Sequence, residues 1–94
     1  MKTFAWNDEK NNKLKLQRGV SFELIVSQIE AGKILDILEH PEQTKYPGQR
    51  ILVIDVDDYA VLVPFIETEE EIFLKTIIPS RKAMKKYLKR QEDE

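Results

Sequence analysis

The chain has 94 residues, of which 41% are hydrophobic and 34% charged, a balance that predicts one soluble globular domain rather than a disordered segment. The lack of any cysteine excludes disulfides, thiolate metal sites and cysteine nucleophiles. A net charge of −2 taken alone argues against strong nucleic-acid binding, and no apolar run approaches the ~20 residues that a membrane span needs, so the expected location is the cytoplasm.

Phe4-Ala5-Trp6 reads as a short edge strand or a clip. Asn7 is placed to cap a first helix, with Asp8 and Glu9 at its positive end. That helix is polar, carries Leu14 and Leu16 as its main apolar residues, and ends at Gly19 after Arg18. Ser21 caps a second helix, in which Phe22, Ile25, Val26 and Ile29 fall on one stripe before Gly32. Ile34–Glu39 then reads as a strand, and residues 40–48, with two prolines and a glycine, as a loop. Arg50–Val56 is a strong strand, Asp57-Asp58 a tight turn, and Tyr59–Ile66 the next strand, where Pro64 implies an edge or a bulge. An acidic turn at 67–70 leads to a fourth strand, Glu71–Ile78. Pro79 ends it, and Ser80 caps a basic helix from Arg81 to about Arg90. The expected fold is α+β: a helix pair, a four-stranded antiparallel meander and a closing helix, in one domain spanning 1–94. One sheet face is buried under the helix pair and the other is partly open.

The charge is segregated. Lys75, Arg81, Lys82, Lys85, Lys86, Lys89 and Arg90 occur in a segment with no carboxylate, while acids gather at Asp55-Val56-Asp57-Asp58, at Glu67–Glu71 and at Glu92-Asp93-Glu94. The strand-to-helix corner at Pro79 is a fixed place where Lys75, Arg81 and Lys82 can hold a phosphate; a surface corner whose cations are merely solvated is the plainer reading. The sequence has no glycine-rich phosphate loop and no metal-ligand spacing, and its single histidine, His40, sits beside Pro41 and reads as a loop residue. An enzyme built from these residues works without metal or cofactor, through Lys, Arg, Glu and His. RNA suits such a set, because it brings its own 2′-OH nucleophile and needs only orientation, charge stabilisation and proton transfer. Lys75 is a candidate acid/base or clamp, Arg81 and Arg50 are candidate phosphate clamps, and Lys10, Arg18, Lys82 and Lys85 are candidates for the RNA backbone. Each has a structural alternative; Lys75 in particular can pair with Asp55 or Asp57. Trp6 and Tyr87 read as core or clip residues before base-stacking platforms.

Trp6-Asn7-Asp8-Glu9-Lys10-Asn11, followed by Gly19-Val20-Ser21-Phe22-Glu23 and, near the end, Ile77-Ile78-Pro79-Ser80-Arg81-Lys82-Ala83, resembles the BrnT family of ribonuclease toxins from bacterial type II toxin–antitoxin systems. The family's Lys-His before the glycine is Gln17-Arg18 here. The arginine it usually carries before Ile-Ile is Thr76, with Lys75 one place earlier; Arg50 and Arg81 fall where the family has arginine. The resemblance implies a RelE-like fold, metal-independent RNA cleavage that halts translation, and a cognate antitoxin of ribbon-helix-helix type that neutralises the toxin and carries the DNA binding. The alternative is a non-catalytic member that uses the same fold to bind nucleic acid or a protein partner.

Overall fold

A computed structural model describes residues 2–88. It is an α+β domain in which three helical elements flank a mixed sheet. Helix α1, Asp8–Arg18, begins where the Asn7 side chain accepts a hydrogen bond from the Lys10 N–H at 2.9 Å, and ends at Gly19, whose φ of 69° is the left-handed turn that glycine adopts at low cost. Helix α2, Phe22–Glu30, is capped by Ser21 through the Leu24 N–H. Its stripe is buried as the spacing requires: Phe22 and Ile25 are fully enclosed, with Val26 and Ile29 packed at the margin.

Asn11 locks the two helices together. Its side chain is buried, its Oδ1 accepts the Phe22 N–H and its Nδ2 donates to Glu23, both at 2.8 Å. The amide therefore satisfies a backbone donor that the α1–α2 corner otherwise leaves orphaned. Asn11→Leu removes that partner and is expected to lower unfolding stability by about 1–3 kcal/mol, read from urea denaturation.

The strands are β1 (Thr3–Ala5), β2 (Ile34–Glu39), β3 (Arg50–Val56), β4 (Tyr59–Glu67), β5 (Glu71–Leu74) and β6 (Ile78–Pro79). They run in the order β1-β5-β4-β3-β2, with β6 pairing to β4. The sheet therefore differs from the four-stranded antiparallel meander expected. β1 adds to the β5 edge in parallel, through Thr3↔Glu71 to Ala5↔Phe73, and makes the sheet mixed. Asp57 and Asp58 form the β3–β4 turn, both at positive φ (54° and 66°), and Asp55 Oδ1 accepts the Asp58 N–H at 2.8 Å. Aspartate tolerates this left-handed geometry better than most residues, which is how the turn forms without glycine.

The expected fourth strand is broken. Leu74 stands opposite Phe65 and Ile78 opposite Leu62, so four steps on one strand face three on the other: one residue is extra. This is a β-bulge. An unbroken strand turns Leu74 and Ile77 to opposite faces. The bulge instead sends both into the core, where each is fully buried. Pro64 lies opposite the bulge. Its carbonyl accepts the Lys75 N–H at 2.8 Å, so its missing N–H also falls on the bulged side, where regular pairing is interrupted.

The sheet separates two cores. Leu52, Ile54, Val63, Phe65, Leu74 and Ile77 pack under α1 and α2. On the other face Val53, Ala60 and Leu62 pack under a closing helix, α3 (Arg81–Ala83), which continues as a π-helical stretch, Met84–Leu88. Ser80 caps it through the Ala83 N–H at 3.1 Å. Lys89 and Arg90, the expected end of that helix, lie outside the described residues.

Candidate nucleic-acid interface

Register fixes the layout of the α3 face. Leu62, Val53 and Asp36 lie side by side across β4, β3 and β2. The closing helix crosses this row, with Leu62 and Val53 packed beneath it and the Tyr87 hydroxyl donating to Asp36 at 2.6 Å. The next row is Pro64, Ile51 and Leu38, and beyond it Ile66 stands opposite Phe73. Leu38 and Ile66 are each 37% exposed, Ile51 is half-buried and Pro64 is buried, so this part of the face is open at its margins and covered at Pro64.

Cations border this open area from two sides. On one side an open hollow of about 460 Å³ lies between α1 and β5, lined by Asn7, Glu9, Lys10, Lys13, Phe73 and Lys75. Lys75 pairs with neither Asp55 nor Asp57, and among the described residues Lys10, Lys13 and Lys75 form no ion pair. On the other side Lys82 and Lys86 project from the closing helix over an apolar hollow of about 200 Å³ floored by Leu38, Val53 and Leu62. Arg81 and Lys85 are exposed on the same helix but do not line that hollow.

Arg18 is placed differently from a strand-guiding cation. Its guanidinium donates to the Ile77 carbonyl at 2.6 Å, which anchors the end of α1 to the bulge and holds the Pro79 corner in position. Arg50 is on the other face altogether. It pairs with Glu67, lies 5.0 Å from the Phe65 ring centre, and borders a hollow with Phe4, Ile29, Ile34 and Ile72. Glu67 also binds Lys2. The Lys2 hydrogen bond, then the Lys2 and Arg50 charges, hold the Glu67 carboxyl below the usual range. Of the residues proposed from sequence, Lys75 and Lys10 meet in one hollow, Lys82, Arg81 and Lys85 stand across the open face on the closing helix, and Arg50 joins neither group. The sequence reading leaves Lys13 unnamed and places Lys86 in the basic segment without a site role, although each repeats a candidate lysine one turn on: Lys13 after Lys10, Lys86 after Lys82.

The remaining candidates have structural roles. Trp6 stacks on Phe22 with centroids 5.6 Å apart. The His40 ring lies 4.3 Å from that of Tyr46, and its Nδ1 accepts the Glu42 N–H, both within the 40–48 loop. Among the described residues no three His, Asp or Glu side chains gather as metal ligands, and no helix is long and apolar enough to cross a membrane.

The Tyr87–Asp36 bond ties the closing helix to edge strand β2. The Tyr87 hydrogen bond, then the Ile37 N–H and the Lys86 charge, lower the Asp36 pKa, and the same bond raises that of Tyr87. A depressed carboxyl contributes stability above its unfolded pKa that is lost as pH falls through the folded value. Tyr87→Phe is therefore expected to move the Asp36 titration upward, toward an ordinary aspartate, and to weaken the acid dependence of unfolding; carboxyl carbon NMR against pH checks it. No family model, curated protein or solved structure matches the chain.

Proposed function

We propose that this chain is the toxin of a type II toxin–antitoxin pair, with a RelE-like fold, that cleaves RNA without a metal ion and so halts translation. The observation that carries this reading is the pair of lysine groups, Lys10, Lys13 and Lys75 lining one hollow and Lys82 and Lys86 another, on either side of the partly exposed Leu38 and Ile66, with no ion-pair partner among the described residues. Lysines left unpaired on both sides of an apolar strip suit a single strand whose phosphates run along the edges and whose bases lie on the strip, with Phe73 available for stacking. The RNA 2′-OH is the nucleophile. As the 2′-oxygen bonds to phosphorus and releases its proton to water, the P–O5′ bond breaks; Lys75 and Lys10 neutralise the scissile phosphate and one of them donates a proton to the departing 5′-oxygen, Arg81 adds a clamp at the start of the closing helix, and Arg18 is a positioning residue acting through Ile77. Arg50 has no part in this chemistry. The resemblance to BrnT toxins supplies the partner: a ribbon-helix-helix antitoxin that neutralises the chain and makes the DNA contacts of the complex.

A second reading, a non-catalytic RNA-binding module, is favoured by one feature. Arg18 is bonded to Ile77 and Arg50 to Glu67, so among the described residues the cations lining the two hollows are all lysines. Incubation of the purified chain with single-stranded RNA in excess EDTA separates the two. The nuclease reading expects fragments ending in a 2′,3′-cyclic phosphate. Retarded but intact RNA supports the binding module, and no interaction with RNA defeats both.

A further inference from the structure

The hollow beneath Lys82 and Lys86 has a more specific shape than the open face around it. Its lining is largely apolar, from Leu38 and Leu62 over the buried Val53 and Ala83, together with Tyr87. Lys82 and Lys86 are the only charged side chains among its described lining residues, four positions apart on the helix that forms one wall. Lys86 Nζ also lies 5.3 Å from the centre of the Tyr87 ring. Two hydroxyls complete the lining. Ser80 Oγ accepts the Ala83 N–H and keeps its own proton to donate; Tyr87 Oη donates to Asp36 and keeps a lone pair.

We infer that this hollow is a nucleotide subsite: the base rests on Leu38 and Leu62 beside Tyr87, and its phosphate lies against Lys82 and Lys86. The inference rests on reading this face as an RNA surface, and it adds the point at which one nucleotide is gripped and distinguished from others. Both cations come from the helix wall and the floor comes from the strands, so the site is charged on one side and flat and apolar on the other. A nucleotide divides in the same way, into an anionic phosphate and a base with a π-face. An acidic peptide spreads charge and apolar groups along its length, and a single compact hollow of about 200 Å³ matches that poorly. The free Ser80 donor and Tyr87 acceptor give the site a means of preferring one base edge over another.

The test is an amide NMR titration of the full chain with the four nucleoside 5′-monophosphates, inorganic phosphate and an acidic amphipathic peptide. Saturable shifts at Leu38, Leu62, Ala83 and Lys86 are expected with at least one nucleotide, at a Kd at least about tenfold below that of inorganic phosphate. Lys82→Glu with Lys86→Glu should weaken that nucleotide at least about tenfold. Leu38→Asp should reduce nucleotide binding to the level of phosphate. All three side chains are solvent-exposed, and a dispersed spectrum verifies that each variant folds. Silence at these amides, an equal response to phosphate, or binding of the peptide alone overturns the subsite. RNA cleavage beside a silent hollow defeats the subsite and leaves the nuclease reading intact; nucleotide binding without RNA cleavage does the reverse.

Discussion

Phe22→Ala is expected to destabilise the chain by about 3–5 kcal/mol, enough to consume much of the stability of a small domain. Phe22 is fully buried at the first turn of α2, stacks on Trp6, and sits in one cluster with Leu14, Ile25, Leu74 and Ile77. Truncation opens a cavity where α1, α2 and the sheet meet, and strips Trp6 of its stacking partner. The Phe22 N–H also anchors Asn11, so disorder at this corner reaches the lock between the helices. For a domain of this size each kcal/mol lowers the melting temperature by roughly 4–8 °C, so the variant should melt more than about 10 °C below the parent, as followed by circular dichroism. A loss under about 1 kcal/mol means that the helix pair is not packed as described.

Lys10→Glu combined with Lys75→Glu should abolish RNA cleavage and weaken RNA binding by at least about tenfold at low salt. The two lysines line one hollow with Lys13 and a single carboxylate, Glu9. Reversal turns a net-positive rim into a net-negative one where the proposed chemistry needs the phosphate to bind. Stability should change little, because neither side chain forms an ion pair among the described residues and the bonds both residues make are through their backbone N–H groups, Lys10 to Asn7 and Lys75 to Pro64. The salt dependence of binding should flatten in parallel, since fewer counterions are released from the strand. Arg50→Glu is the control: Arg50 lies on the other face, paired with Glu67, and its reversal should leave RNA affinity unchanged. Equal losses from both changes would show that binding follows net charge and not this surface.

Local signals carried most of the fold. Asn7, Gly19, Ser21 and Ser80 occupy the caps that their side chains suit, and the stripe from Phe22 to Ile29 faces the sheet. These features depend on near neighbours in sequence, which is why they could be read. The parallel pairing of β1 with β5 joins residues almost seventy positions apart, and nothing in Phe4-Ala5-Trp6 specifies a direction. The bulge at Lys75–Ile77 was hidden because Lys75-Thr76-Ile77-Ile78 has the β-branched run of a regular strand; only the burial of both Leu74 and Ile77 exposes the extra residue.

The candidate site was legible as a set of residue types but not as an arrangement. Lys75 and Lys10, named for different roles, line one hollow with Phe73, which nothing local in sequence could bring together. Arg50 was misplaced for a reason that periodicity could reveal. In β3 it alternates with Leu52, Ile54 and Val56, all of which face the helix pair, whereas Val53, two positions along from Ile51, faces the closing helix. The bond from Arg18 to the Ile77 carbonyl links segments with no shared sequence signal.

The most direct test of the central claim, that this chain is an RNA-directed toxin, is growth after induced expression of the chain alone and together with the gene adjoining its own. Expected are arrest with the chain alone, relief by the neighbouring gene product, and no arrest with the Lys10→Glu, Lys75→Glu chain present at equal soluble level. Unimpaired growth with the parent chain soluble and abundant would contradict that claim.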